Sequence, residues 1–238
     1  MKTNSQIYNF AKKIIDHPRS LSGNGVRKTL KDIKKILPVM KVKNFKSGNK
    51  AFDWKIPMEW DVHDAYIVKP NGKKICKFSD NKLHLVGYSI PVNKTLSKDK
   101  LLQKLYSLPK LKNAIPYVTS YYKKDWGFCI KHSEKSKLKN GNYKVFINAK
   151  HKKGELNYGE IFIKGKSKKE ILFSTYICHP EMANNEVSGI SVVTYLTKWI
   201  QSKKRNFSYR IIFIPETIGS IAYIPKNLKN LKKNLIAG

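Results

Sequence analysis

A histidine and a glutamate each follow an apolar segment of this chain, and both side chains suit metal chemistry. His179 comes just after the apolar segment 170–177, and Glu216 comes just after the apolar segment 208–214. Imidazole nitrogen and carboxylate oxygen both bind Zn²⁺ in proteins. A glutamate at such a position can alternatively act as general base toward a metal-bound water. The sequence therefore indicates a candidate metal site in which Glu216 is either a ligand or a base.

The segments around these two residues predict a strand–helix–strand unit. Residues 170–177 and 208–214 are predicted strands, and residues 188–202 between them carry the apolar spacing of a helix. Two strands joined by one helix are expected to run parallel with a right-handed crossover. The carboxyl ends of parallel strands meet at one edge of a sheet, where open α/β sheets place their sites. If the two strands are neighbours, His179 and Glu216 are expected to approach each other there.

A purely structural interpretation of His179 stays open. A His-Pro pair in a turn more often forms a cap or a local hydrogen bond than a metal site. One histidine and one glutamate are also fewer than the three protein ligands that a catalytic zinc usually has. Cys178 is not expected to form a catalytic pair with His179, because adjacent residues of an extended segment point to opposite faces.

The rest of the chain divides by pattern into a helical, a β-rich and an α/β region. Apolar residues at helical spacing predict two helices at the N-terminus, over 6–15 and 26–37. Between residues 42 and 109, short strands with a hairpin turn at 70–73 are predicted, followed by a strand over 83–90 and a helix over 97–108. Further strands are predicted over 143–149 and 155–164, paired with each other across 150–154.

Composition indicates a folded protein. The chain has 238 residues, and its hydrophobic content of 41% is too high for a disordered chain. No apolar run approaches the length of a transmembrane helix, and the N-terminus lacks the apolar part of a secretory signal. Three widely spaced cysteines show no metal-type pairing, which favours a reducing cytoplasm as the location.

The formal net charge of +32 has two explanations. One is an acidic partner, such as nucleic acid, a membrane surface or another anionic polymer. The other is a genome rich in AT codons, which supply lysine, asparagine and isoleucine. The lysines are scattered along the chain, which favours genome bias. In either case, non-specific binding of polyanions is expected at low salt.

Several longer motifs extend beyond the single histidine and glutamate. The chemistry-bearing motifs are Cys178-His179-Pro180, Ala183-Asn184-Asn185-Glu186-Val187-Ser188-Gly189 and Pro215-Glu216-Thr217-Ile218-Gly219-Ser220. Other motifs are Leu21-Ser22-Gly23, residues 59–67, residues 114–122 and Trp126-Gly127-Phe128-Cys129. Together these motifs resemble, over nearly the whole chain, a bacterial aminopeptidase-like family related to the zinc-dependent aminopeptidases.

The resemblance implies a fold and a set of site residues. The implied fold is an α/β phosphorylase/hydrolase-like one, with a mixed sheet, helices on both faces and a small β-rich inserted domain. Residues 1–45 would form the N-terminal helical part, 46–112 the insert and 113–238 the α/β core. His179 matches the first zinc-binding histidine of the family, and Asn185 stands where those enzymes carry the aspartate that bridges two zinc ions. Glu216 matches the strand end that supplies the general base and a metal ligand.

Two departures predict that this site is incomplete. A neutral amide at Asn185 cannot bridge two cations as a carboxylate does. After Glu216 the sequence contains no Asp, Glu or His, whereas the family continues with a later acidic motif and a later histidine. The chain is therefore expected to be truncated at its C-terminus, either as a fragment or as a shortened protein that has lost catalysis. In both cases it is expected to be impaired as a zinc hydrolase of peptides or other amides. The alternatives are a non-catalytic protein of surface-polysaccharide biosynthesis and a polyanion-binding protein.

Overall fold

The computed structural model describes residues 2–238, with side chains from residue 4 onward. The α-helices are α1 (Lys2–Ile15), α2 (Asn24–Ile36), α3 (Lys98–Leu102), α4 (His132–Lys135), α5 (Ser188–Gln201) and α6 (Ile218–Asn234). The strands are β1 (Lys41–Lys46), β2 (Lys50–Ala51), β3 (Trp54–Lys55), β4 (Glu59–Val68), β5 (Lys74–Ile75), β6 (Val92–Ser97), β7 (Leu105–Tyr106), β8 (Phe128–Cys129), β9 (Asn142–Lys152), β10 (Glu155–Ile163), β11 (Glu170–Tyr176), β12 (Ser208–Ile214) and β13 (Leu235–Ala237). A 3₁₀ turn covers Lys82–His84, and a π-helical turn covers Ala183–Val187.

The chain folds into two compact units. The first combines the residues up to Glu59 with Lys153–Gly238, and the second is Trp60–Lys152. The first unit contains a five-stranded sheet in the order β1-β10-β12-β11-β13. The second contains a four-stranded sheet in the order β5-β4-β9-β6 and the short parallel pair β7-β8.

The sheet of the first unit is mixed. Strand β10 runs antiparallel to both β1 and β12. Strands β11 and β12 are parallel neighbours, paired from Glu170 with Ser208 to Tyr176 with Ile214. The predicted parallel strand–helix–strand unit is therefore confirmed. Strand β13 adds a further parallel neighbour beside β11.

Helices cover both faces of this sheet. Residues of β10 alternate in direction, as in any strand. Ile161 and Ile163 belong to a buried apolar cluster that includes side chains of α1, α2 and α5, such as Ile14, Leu30 and Ile190. On the other face, the Tyr158 ring packs edge-on against Tyr223 of α6, with ring centres 5.7 Å apart. The mixed α/β fold predicted from the sequence is confirmed.

The predicted hairpin between residues 143–149 and 155–164 is wrong. Strand β9 pairs with β6 in the second unit, whereas β10 pairs with β1 and β12 in the first. Burial explains the difference. In β9 buried and more exposed positions alternate, while β10 is buried at six consecutive positions from Leu156 to Ile161. A strand buried on both faces belongs inside a sheet that is covered on both sides.

Two other predicted elements of the second unit differ in the structure. Residues 83–90 form no continuous strand, because the chain there makes the 3₁₀ turn and then irregular backbone with a left-handed residue, Tyr88, at φ 66°. The helix predicted over 97–108 is the short α3, after which the chain enters β7. The hairpin turn at 70–73 is present between the antiparallel β4 and β5.

The unit boundaries fall at 59/60 and 152/153, whereas the domain boundaries predicted from the sequence fall at 45/46 and 112/113. The difference follows from strand pairing, because β9 joins the sheet of the second unit through β6.

No helix of the described residues is both long and apolar enough to cross a membrane.

Candidate metal site at the sheet edge

His179 and Glu216 lie together at one edge of the five-stranded sheet. His179 follows β11 by three residues, and Glu216 follows β12 by two. Because these strands are parallel neighbours in register, both side chains emerge at the same edge. Nε2 of His179 is 3.2 Å from Oε2 of Glu216. The His179 side chain is buried and that of Glu216 is about half exposed.

The backbone around both residues is unusual. Glu181 has a φ of 58° and Thr217 a φ of 55°. A β-branched residue such as Thr217 rarely adopts this left-handed region. The π-helical turn Ala183–Val187 leads into α5 and carries Asn185. Strained residues and π-turns both concentrate at functional sites, so this edge is the part of the first unit where a site is expected.

Acceptors face both ring nitrogens of His179. Nδ1 is 3.1 Å from Oδ1 of Asn185 and 3.2 Å from Oε2 of Glu186, so an Nδ1–H can donate on that side. Nε2 faces Glu216 on the other side of the ring. Burial lowers the pKa of His179, but the carboxylates of Glu186 and Glu216 outweigh that effect and raise the pKa above its ordinary value.

A buried ion pair holds the His179 loop in place. Oε2 of Glu186 accepts the backbone N–H groups of Cys178 at 2.9 Å and of His179 at 2.6 Å. Oε1 of Glu186 accepts from Nε of Arg19 at 2.9 Å, and both side chains are fully buried. Arg19 also donates to the carbonyl oxygens of His179 and Ile14. The Glu186 carboxylate thus accepts hydrogen bonds from the loop backbone and from Arg19, and it is not directed toward Glu216.

Arg19 is the residue of this site that the sequence analysis missed. It lies 167 positions before Glu186 in the chain. No local pattern marks Arg19 as buried, because its partner Glu186 is distant in the chain. Its role is structural, since it contacts the loop backbone and Glu186.

Cys178, His179 and Glu186 are close enough together to resemble a metal-binding cluster, with ligand atoms within 4.8 Å of one another. The Cys178 sulfur accepts the backbone N–H of Glu216 at 3.3 Å, and burial raises the pKa of its thiol well above the ordinary value. The Glu186 carboxylate accepts from Arg19 and from two backbone amides. The hydrogen bonds of this cluster therefore hold the loop that carries His179.

The three predicted metal ligands do not converge on one point. Glu216 faces Nε2 of His179, whereas Asn185 faces Nδ1 on the other side of the ring. Glu186 is occupied by Arg19 and two backbone amides. A catalytic zinc usually has three protein ligands, and His179 with Glu216 supplies two. The donors described at this edge thus do not fit a catalytic zinc on their own.

The fold of the chain is that of zinc aminopeptidases. The structure of a zinc aminopeptidase from Bacillus subtilis superposes with a TM-score of 0.63 at 14% identity, covering 99% of this chain and 67% of the other. An M28 peptidase precursor from Shewanella amazonensis superposes with a TM-score of 0.65 at 11% identity, covering 98% of this chain and 70% of the other. At such identities the likeness concerns the fold alone.

More similar proteins come from Clostridium acetobutylicum. A crystal structure provisionally described as a peptidase has a TM-score of 0.94 at 41% identity, covering 99% of this chain and 56% of the other. A protein provisionally named for polysaccharide biosynthesis, with an aminopeptidase-like domain, is 42% identical over 99% of this chain and 55% of its own length. The chain thus spans about half the length of these relatives. The profile of a domain of unknown function, DUF4910, matches residues 8–238, and the chain belongs to this family.

Proposed function

We propose that this chain is an aminopeptidase-like protein with an incomplete metallohydrolase site, which does not hydrolyse amides by itself. The observation that carries the proposal is the pair His179–Glu216, placed at the carboxyl edge of adjacent parallel strands at 3.2 Å. The position is that of a hydrolase site in this fold class, but the donors number two instead of three. If further ligands complete the site, the substrate is a peptide or another amide.

The three buried free cysteines suit a reducing cytoplasm as the place where the protein acts.

Metal content and amide hydrolysis of the purified chain test this proposal. After dialysis against a weak chelator, we expect well below one zinc ion per chain. We also expect no hydrolysis of leucine p-nitroanilide above the rate in buffer, with or without added zinc. A stoichiometric zinc ion together with turnover that His179→Ala and Glu216→Ala both abolish would overturn the proposal.

Replacing Asn185 by aspartate tests whether the amide weakens the site. Glu186 already places one carboxylate oxygen 3.2 Å from Nδ1, and a second carboxylate there makes the imidazole a still stronger ligand through its other nitrogen. We therefore expect Asn185→Asp to tighten zinc binding on the order of tenfold, measured by isothermal titration calorimetry. The matched control is Asn184→Asp, which adds the same charge one exposed position away. Equal effects of the two variants would show that charge alone, and not the position of Asn185, determines zinc affinity.

The second candidate is a non-catalytic role in surface-polysaccharide biosynthesis. The relative that is 42% identical carries a name of that kind, and this supports the candidate. The test is the cell-surface polysaccharide of cells that lack the protein. We expect the double variant His179→Ala, Glu216→Ala to restore the polysaccharide of these cells as fully as the unchanged chain does. Failure of that variant alone would favour catalysis instead.

A further inference from the structure

Two lysine-rich loops meet at the edge of the five-stranded sheet opposite His179 and Glu216. One loop precedes β11 and the other precedes β12. Both strands have seven residues, so this edge lies about 20 Å from the candidate metal site at the usual rise of a strand. The loops carry seven basic residues, which we call the basic edge: Lys164, Lys166, Lys168, Lys169, Lys203, Lys204 and Arg205.

Backbone contacts hold the two loops against each other. The N–H of Lys166 donates to the carbonyl oxygen of Arg205 at 3.2 Å, and the N–H of Ser167 donates to that of Asn206 at 2.7 Å. A side chain at Gly165 would overlap the backbone carbonyl of Phe207, so the approach of the loops depends on glycine there. The fold thus keeps like charges together in a defined arrangement, although they repel each other.

The guanidinium of Arg205 is used within the protein. It donates to the carbonyl oxygens of Lys164 at 3.1 Å and of Ile200 at 2.9 Å, which closes the end of α5 onto the first loop. The lysines of the basic edge have no such role. Their side chains are exposed, and in the part of the chain that the structure describes they form no ion pair with a carboxylate. One cavity is lined by four of these lysines, whose ammonium groups can contact a ligand there: Lys164, Lys166, Lys203 and Lys204.

That cavity is shallow, has a volume of about 400 Å³ and is lined by Lys164, Gly165, Lys166, Lys203, Lys204 and Arg205. An exposed aromatic ring lies beside it. Trp199 is 59% exposed, and Nζ of Lys203 is 5.9 Å from the centre of its ring. An exposed indole offers a flat apolar face on which another ring can stack. Clustered ammonium groups next to an indole suit an anionic polymer whose rings can stack.

We propose that the basic edge binds an anionic polysaccharide, with Lys164, Lys166, Lys203 and Lys204 contacting its acidic groups and Trp199 stacking on a sugar ring. Nucleic acid fits less well, because the one arginine of the patch is occupied by carbonyl groups and cannot offer a forked contact to bases or phosphates. The choice of a polysaccharide as the anion rests on the second candidate function. The site itself is independent of the proposed hydrolase chemistry, because it lies at the opposite edge of the sheet.

Calorimetric titration of the full chain with oligogalacturonate tests the proposal. The patch variant replaces Lys164, Lys166, Lys203 and Lys204 by glutamine. The matched control replaces four exposed lysines of the same unit by glutamine and so has the same net charge: Lys28, Lys31, Lys34 and Lys41. We expect the patch variant to bind oligogalacturonate at least about tenfold more weakly than the unchanged chain does. The control is expected to lose less than about threefold in affinity. Trp199→Ala is expected to weaken binding about fivefold.

Three results would overturn the proposal. Equal losses in the patch variant and the control would show that total charge alone attracts the polymer. Unchanged affinity in the patch variant would show that the polymer does not bind at the basic edge. Tighter binding of a single-stranded oligonucleotide than of an oligogalacturonate with the same number of charges would exclude a polysaccharide as the preferred anion.

If circular dichroism shows that the quadruple variant does not fold, two double variants replace it, one at 164 and 166 and the other at 203 and 204. Zinc content and amide hydrolysis are separate measurements, so failure of this proposal and failure of the hydrolase proposal can be told apart.

Discussion

At the scale of single residues, the candidate site depends on one buried charge pair. Arg19 and Glu186 are fully buried and 2.9 Å apart, and Glu186 also binds the backbone before His179. Two charges taken out of water together are stable only while both are present. The position of His179 is therefore coupled to a side chain in the loop after α1.

Removing one partner of this pair is expected to destabilise the first unit strongly. We expect Arg19→Met and Glu186→Gln each to lower the free energy of unfolding by about 3–5 kcal/mol, because each leaves a buried group unpaired. The double variant is expected to lose less than the sum of the two. Urea denaturation measures all three.

Lys35→Met is the control, because Lys35 is exposed and the buried carboxylate of Asp32 keeps its second partner, Lys13, when the Lys35 ammonium is removed. Little change in the free energy of unfolding is therefore expected there. Losses below about 1 kcal/mol in both single variants would contradict the role given to the buried pair.

At the scale of elements, the junction between α1 and α2 positions Arg19. Gly25, in the first turn of α2, packs so closely on the backbone of Pro18 that a side chain there would overlap its carbonyl group. His17 is buried at the same junction, with Nδ1 3.0 Å from Oγ1 of Thr29. The Thr29 hydroxyl donates to the carbonyl of Gly25, so it accepts from His17. Nε2 of the same ring lies 3.6 Å from Oδ2 of the buried Asp32, so the junction contains a buried, titratable histidine.

This histidine predicts a loss of stability in mild acid. Burial, with help from Lys28 and Arg19, outweighs the opposing effect of the Asp32 carboxylate and lowers the pKa of His17 from 6.5 to about 4. The unfolded chain therefore binds the proton more readily than the folded one between these values. The stability contributed by neutral His17 is fully present above pH 6.5 and is lost as the pH falls toward 4. The loss is expected to reach up to about 3 kcal/mol.

Urea denaturation between pH 4 and pH 7 measures this slope. His17→Gln is expected to flatten it, because glutamine does not titrate. His63→Gln, at an exposed position of β4, is the control and is expected to leave the slope unchanged. An unchanged slope in His17→Gln would contradict the assignment.

At the scale of the whole molecule, charge is the dominant property. A net charge of +32 in 238 residues places many like charges within one Debye length of each other at low salt. This repulsion opposes the compact state. Most of the lysines are exposed, so added salt screens them effectively.

Salt is therefore expected to stabilise the folded chain. Raising NaCl from 10 to 150 mM shortens the Debye length from about 30 Å to about 8 Å. We expect the Tm to rise by about 3–6 °C over this range, measured by calorimetry. The variant with glutamine at Lys28, Lys31, Lys34 and Lys41 should show a smaller rise. A Tm that is constant or falls with salt would show that repulsion between the lysines is negligible.

Local patterns in the sequence were sufficient for part of this picture. The apolar segments before His179 and Glu216, joined by one helix, were enough to predict parallel strands and therefore a shared sheet edge, because a strand–helix–strand connection has few topologies. Helical spacing predicted α1, α2 and α5 for the same reason, since each helix shows its buried face in its own sequence.

Only the tertiary structure decided which distant segments meet. Strands β9 and β10 follow each other in the chain yet join different sheets, and no local pattern records that choice. The structure likewise brings Arg19 to Glu186 and sets Asn185 and Glu216 on opposite sides of the His179 ring. It also gathers lysines from two separate loops into the basic edge. The physical reason is that residue types and spacing determine local conformation and burial, whereas strand pairing, ion pairs and charge clusters depend on contacts between residues far apart in the chain.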